Sequence, residues 1–503
     1  AQGRNRSGPG AGQTSEAVQA QQALSPHGRC WRHMTCPAGL ASGLCRRGRG
    51  ALLLRVRGPR LRRGCGLRWE ATSPQAATSE RAPREKGEAP AGIGPAWRAC
   101  TVPERRQLLV LSVSGAVLNL GFGVVIPAIP ALSQDLGFGA TGVGLLLAAP
   151  SLARTLVNLP AGAMVDRLGR VPCMVAGQAA AAVGCLGTAW GGSLAAILPL
   201  RFVGGAGGAV ASAGSAACMT DMTGRRHLLP FRGTILGAQG GLVAAAYVVG
   251  PAVGGVLTEL CGAQVAYGFV ASLAAACAGA YCTLPETASR PGAAAAAGRP
   301  ALGSEALREA AGAWLRLLRD RNQQGLLAGS FAQFLNYSAM VTVLPLQAFH
   351  TFGLTAGGIG ALYSVGAVMG MLLSPVAGKM ADRYGRVPIV APAALTCAAG
   401  CLLVAWADQW AWFVGAYMLW SFGESILSPV LAAYAADVAP KGEIGVAMAL
   451  SRQAGDLVFL LAPPLLGLLY DAHPGHTAMS CTAALTLLGG AAFRARAREA
   501  AAR

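Results

Sequence analysis

A chain of 503 residues with 53% hydrophobic and 13% charged residues, at a mean hydropathy of +0.46, lies far from the roughly 25% charge of soluble domains and excludes an ordinary water-soluble enzyme. The formal charge of +19 does not indicate a nucleic-acid partner, because residues 1–106 hold 19 Lys and Arg against 6 Asp and Glu and so carry 13 of the 19 net charges. Fourteen cysteines occur without a CxxC pair or a His/Cys cluster of ligand spacing, so no metal or other cofactor is expected, and Cys397 with Cys401 reads as a packed helix face.

Residues 1–104 are rich in Arg, Gly, Ala, Pro and Ser and contain no apolar run near the roughly 20 residues that a spanning helix needs. Their Arg-rich, acid-poor character fits an organelle transit segment, a plastid one for instance. A disordered tail or a misassigned start reads the same way, which leaves the plasma and vacuolar membranes open as destinations.

From residue 105 the composition changes to long apolar runs. They predict helices at 107–128, 142–164, 171–190, 193–220, 232–258 and 264–284, then at 323–349, 355–377, 387–407, 409–436, 442–470 and 477–493. The fold class expected is therefore an all-α membrane protein of twelve transmembrane helices. Residues 105–285 form a first six-helix half and residues 323–493 a second. An Ala-rich linker at 286–322 with an amphipathic helix near 304–320 joins them, and a basic tail follows at 494–503.

Positive charge sets the orientation, since Lys and Arg stay on the cytoplasmic side. Arg167, Arg170, Arg225, Arg226, Lys379, Arg383, Arg386, Lys441 and the linker arginines all fall in loops on one side. The opposite loops carry Asp135, Glu259, His350, Asp408, Asp471, His473 and His476 and neither Lys nor Arg. Both termini are accordingly expected on the cytoplasmic-equivalent side.

The loop after the second helix reads GAMVDRLGRVP and that after the eighth reads GKMADRYGRVP. An offset of 216 carries Gly162, Asp166, Arg167, Gly169 and Arg170 onto Gly378, Asp382, Arg383, Gly385 and Arg386. It also carries Gly142, Gly144 and Asp221 onto Gly358, Gly360 and Asp437. One register over so long a stretch makes the halves homologous, and parallel halves of this kind place a substrate site near the bilayer midplane and rock around it.

These residues resemble the major facilitator superfamily over residues 105–493, whose GxxxDRxGR signature is the repeated loop. Arg201 with Gly204, Gly205 and Gly207 resembles the family's fourth-helix RxxxGxG motif. AYVVGPAVGG at 246–255 resembles the fifth-helix motif of its twelve-helix drug:proton antiporters, with Ala246 in place of the usual first glycine. The resemblance implies a monomeric secondary transporter that exchanges protons for a small organic or amphipathic molecule across the bilayer by alternating access. Pro285-Glu286-Thr287 resembles sugar-porter loops, so a sugar or organic-anion symporter or facilitator is the alternative transport reading. A non-transporting receptor or scaffold with the same fold is the alternative of another class.

Physical readings accompany the motifs. The loop glycines suit close packing and a sharp turn, and Asp166 suits pairing with arginines or the positive end of a neighbouring helix, a cluster able to latch one conformation. Gly250-Pro251 kinks the fifth helix while Gly254 and Gly255 admit another helix, an arrangement echoed by Pro464 and Gly467 in the eleventh.

Charges inside the bilayer are costly enough to demand a partner or a task. They are Arg154, Arg201, Glu424, Arg452 and Asp456. Glu424 lies midway along its helix without a cation one turn away, near Ser421, Ser425, Ser428 and Trp420, and suits proton exchange with a cationic or amphipathic substrate. GESILSP resembles the vesicular amine transporters, with Glu424 five residues before Pro429, although Leu118 and Asn119 stand where those transporters carry an acid. Arg201 is expected either to couple protons or to brace the first and fourth helices. Asn119, Gln333, Asn336 and Tyr337, on helices that line the cavity of the resembled fold, are candidate substrate contacts. Arg154 and Asp456 are expected to bridge the halves in one state, with Arg452, one turn from Asp456, as a competing partner.

Overall fold

The computed structural model describes residues 93–287, 312, 314–440, 444–473 and 476–499, and the leader and most of the linker lie outside them. Among the described residues a short helix, Ile93–Ala99, precedes twelve long ones. They are α1 (Val102–Leu136), α2 (Ala140–Leu168), α3 (Arg170–Trp190), α4 (Leu194–Thr223), α5 (Arg232–Cys261) and α6 (Ala263–Tyr281). The second set is α7 (Arg321–Phe352), α8 (Ala356–Tyr384), α9 (Val387–Ala405), α10 (Trp410–Val438), α11 (Ile444–Ala472) and α12 (His476–Arg496). Helices are what an apolar solvent permits, because every backbone N–H and C=O finds its partner within the segment.

By length and composition, 11 of the described helices qualify as membrane spans. The one left out is α10, whose Trp, Tyr, Gly, Ser and Glu424 dilute its apolar content. One side of it packs on α8 and α9, with Phe413, Tyr417, Trp420 and Tyr434 buried, while Trp412, Leu419 and Phe422 stay exposed.

Several helices overrun the apolar segment that announces them. The 35 residues of α1 and 32 of α7 extend about 50 Å at 1.5 Å per residue, beyond a hydrocarbon core about 30 Å thick. Caps set the ends. Thr101 and Glu104 close a capping box at the start of α1, and Asp320 accepts from Asn322 N at the start of α7. Gly137 and Gly353 end α1 and α7 at φ of 69° and 61°, while Gly169 and Gly385 turn the chain after α2 and α8 at φ of 100° and 89°. Each pair differs by the 216-residue offset, so the repeat extends to positions only glycine occupies comfortably.

Packing repeats in the same way. The contacts α1 on α5, α1 on α6, α2 on α4, α3 on α4 and α3 on α6 recur six helices later as α7 on α11, α7 on α12, α8 on α10, α9 on α10 and α9 on α12. Small residues make the close approaches: a Cβ on Gly184 of α3 would stand 2.7 Å from the Gly204 backbone of α4. Gly205 and Gly207 of the RxxxGxG motif lie against Pro150 of α2 and Gly177 of α3. The two halves meet through α2 against α11 and α5 against α8.

Candidate functional site

The boundary between the halves carries a polar cluster at mid-helix. Arg154 Nε donates to Asp456 Oδ1 at 2.8 Å, Asn158 Nδ2 donates to Asp456 Oδ2 at 2.6 Å, and Arg154 Nη2 reaches Ser151 Oγ at 2.8 Å. Gln453 Nε2 adds a bond to the Thr155 carbonyl at 3.2 Å. The Asp456 side chain is 11% exposed and that of Arg154 37%, so the guanidinium keeps one face open. Arg452 is exposed and pairs with no described carboxylate, so the one-turn partner for Asp456 considered above is not used. Asn158 and Gln453 went unmarked in the sequence, where the amides singled out lay on the first and seventh helices and these two lie on the second and eleventh.

Nearby, aromatic rings from both halves converge. Tyr337 of α7 stacks on Phe122 of α1, with centroids 6.2 Å apart, and meets Phe459 of α11 edge-on at 5.7 Å. Phe334 also meets Phe459 edge-on, with centroids 6.5 Å apart. Asn119 is held by its own helix through Gly115 O at 2.7 Å and accepts from the Tyr247 hydroxyl of α5 at 2.9 Å. Glu424 is half-buried with the Gln333 side chain beside it, and Cys397 Sγ stands 4.0 Å from Oε2. No described cation pairs with it. Of its expected neighbours, Ser425 donates to the Ser421 carbonyl at 2.6 Å, and Trp420 is fully buried with its backbone close against Gly400 of α9.

Two residues, a candidate contact and a candidate brace, are placed differently from expectation. Asn336 is fully buried: its amide donates to Ala332 O at 2.8 Å and to Thr486 Oγ1 of α12 at 2.6 Å, so it ties α7 to α12 and does not line the cavity. Asn336→Ala is expected to lower stability by about 1 to 3 kcal/mol, read as a fall in melting temperature, without altering which solutes protect the protein. Arg201 does not brace α1 against α4. Its Nε points at Leu146 O of α2 at 3.4 Å and its guanidinium lies 5.8 Å from the Tyr267 ring of α6.

At the arginine-rich end each half gathers its own ions. Arg170 pairs with Asp221 at 3.0 Å and with Asp166 at 3.5 Å. Arg386 pairs with Asp437 at 2.8 Å and with Asp382 at 2.9 Å. Arg383 lies over the Tyr384 ring at 5.4 Å, and Arg167 makes no ion pair among the described residues. The close packing expected of the first motif glycine is not found: neither Gly162 nor Gly378 has a described atom within 4 Å of where a Cβ would stand.

Glu286 also has a local task. It accepts from the backbone N–H groups of Arg170 at 2.9 Å and Val171 at 3.0 Å, capping α3. Glu499 does the same for α9 through Val387 N at 2.6 Å. The loop that resembled sugar porters is thus part of a cap repeated in both halves, and the region read as a basic tail supplies a carboxylate to the fold. Among the described residues no group of His, Cys, Asp or Glu could hold a metal ion.

Set beside known proteins, residues 111–372 and 326–503 match the family model of the Major Facilitator Superfamily. The chain is 24% identical over 155 residues to the quinolone resistance protein NorA of Staphylococcus aureus, an alignment covering 31% of this chain and 39% of that one. It is 28% identical over 153 residues to multidrug resistance protein 1 of Bacillus subtilis, covering 30% and 38%. The chain therefore spans about two fifths of the length of these relatives. Among solved structures, a D-xylose-proton symporter superposes with a TM-score of 0.64 at 16% identity, covering 78% of this chain and 98% of that one. The human organic anion transporter MFSD10 superposes with a TM-score of 0.56 at 20% identity, covering 78% and 100%.

Proposed function

The chain belongs to the Major Facilitator Superfamily, as a multi-pass membrane transporter and not an enzyme, and we propose from that premise that it exports small amphipathic organic cations in exchange for protons. The observation that carries the reading is Glu424, a carboxylate at mid-helix with Gln333 and no cation beside it, close to a cluster of aromatic rings drawn from both halves. An aromatic face attracts a cation, a carboxylate neutralises it, and the same carboxylate can hold a proton when the cation leaves. Tyr247 and Asn119 add polar contacts that orient a bound molecule.

The partial relatives, named for resistance to quinolones and to multiple drugs, support export over uptake. The arginine-rich end is the cytoplasmic one on this reading, both termini lie there, and the protein acts as a monomer. The ties between α2 and α11 run from Asp471 to Asp456 and Gln453, and those between α5 and α8 gather at Glu259, while Gly162 and Gly378 stand clear of described neighbours. That pattern supports a conformation closed to the exterior and open to the cytoplasm. The exposed Arg452 and the open face of Arg154 favour a second reading, an organic anion as substrate.

Uptake into proteoliposomes under an imposed pH gradient, with radiolabelled organic cations, organic anions and sugars compared side by side, tests the proposal. Accumulation of a cation that collapses with the gradient is expected. Gradient-driven accumulation of anions or sugars alone would transfer the function to the alternative readings, and no counterflow of any solute would leave a receptor or scaffold.

Asp166→Asn removes only the longer of the two contacts on Arg170, and Asp221 keeps the shorter, so the protein is expected to fold and insert normally. If the cluster biases the two conformations, turnover should fall about 5- to 10-fold. Wild-type turnover at saturating substrate would refute a gating role.

A further inference from the structure

A second internal repeat, spaced differently from the first, lies in α5 and α11. Pro251, Gly255 and Glu259 are four residues apart, as are Pro463, Gly467 and Asp471, which puts each trio on one helix face. The echo of Pro251 therefore runs through Pro463, one residue before the proline that the sequence suggested.

Both faces press on the opposite half at equivalent places. A Cβ on Gly255 would stand 2.6 Å from the Ala356 carbonyl oxygen of α8, and one on Gly360 would strike the Pro251 carbonyl. A Cβ on Gly467 would strike the Ala140 carbonyl of α2, and one on Gly144 the Pro463 carbonyl. Ala140 and Gly144 are Ala356 and Gly360 displaced by 216 residues, so the two contacts are copies related by the symmetry of the halves.

At the end of each face stands a carboxylate. Asp471 accepts from Ala140 N at 2.9 Å, from Thr141 N at 2.8 Å and from the Thr141 hydroxyl at 2.6 Å. Glu259 accepts from Gly357 N at 3.0 Å and from the Thr355 hydroxyl at 3.1 Å. The first turn of a helix has unpaired N–H groups and the positive end of the helix dipole, which a carboxylate satisfies. The residue before α2 is Gly139, which has no side chain to cap it, so α2 takes its cap from the other half.

Building on the transport reading, we propose that Glu259 and Asp471 are positioning residues of the transport cycle. They form a paired latch that closes the arginine-free end by capping the first turns of α8 and α2, and both caps must release for that end to open. The carboxylates touch no substrate. They act through the helices they hold, and because each half moves as a body, the two releases are one event.

The test uses the full chain in lipid nanodiscs, with spin labels introduced through an unnatural amino acid at the exposed positions Gln264 of α6 and Thr351 of α7, so that the native cysteines remain. Pulsed electron resonance reads the distance between the halves at this end without substrate or gradient. Glu259→Gln and Asp471→Asn are each expected to raise the ratio of separated to closed molecules about 2- to 5-fold, and the pair by more. Glu259→Asp and Asp471→Glu, which keep the charge, should restore most of the closed population. If the double variant cannot be purified, the single variants carry the test. Distance distributions that superimpose on wild type in the amide variants would overturn the latch, as would charge-preserving variants that open as far as the amides. A failed uptake assay would bear on the substrate reading and leave this measurement intact.

Discussion

Arg154→Ala and Asp456→Ala are each expected to cripple the transporter, and the double replacement to be milder than either. The physical reason is asymmetric: a buried ion pair contributes little net stability while intact, yet removing one member leaves the other charge unpaired at a cost of about 3 to 5 kcal/mol. Arg154 keeps 37% of its side chain open, so the lower end of that range applies. Removing Arg154 leaves Asp456 with Asn158 alone, at 2.6 Å, while removing Asp456 leaves the guanidinium with Ser151. A double-mutant cycle on transport rate and on membrane expression measures the coupling. Strictly additive losses would show that the pair does not act as a unit.

Glu424→Gln is expected to abolish accumulation driven by a pH gradient while exchange of substrate at equal pH survives. Glutamine keeps the shape and hydrogen-bonding capacity of the side chain and can still meet Gln333, so folding should be preserved. It cannot exchange a proton. Concentrative transport that persists in this variant would assign the carboxylate a structural role and move proton coupling elsewhere.

Much of the architecture was readable because hydropathy and repetition are properties of the chain taken in order. Twelve helices and two copies of one six-helix unit follow from apolar runs and from the constant offset between GAMVDRLGRVP and GKMADRYGRVP. What the chain conceals is rotation about each helix axis. Consecutive helical residues differ by about 100°, which is enough to separate Tyr337, stacked on Phe122 of the other half, from Asn336, bonded to Thr486 of α12. Arg201 shows the same limit, since the sequence marks a charge needing company without indicating that the company is Leu146 and Tyr267. Helix ends were hidden for another reason. The cap of α2 comes from Asp471, which lies 331 positions beyond Ala140, where no local capping rule would seek it.

Glu286 and Glu499 each follow the sixth helix of their half and reach back to the start of the third. Such an arrangement makes each half a closed loop, fastened by a residue that follows its sixth helix, and this bears on how the protein can be handled. A truncation that stops at Arg494, or a tag joined directly there, would remove the Glu499 cap and loosen α9 while leaving the first half untouched. Cutting the polypeptide within residues 288–311 would leave both fasteners in place, so the two pieces, made separately, should each hold their shape well enough to be recombined in one membrane.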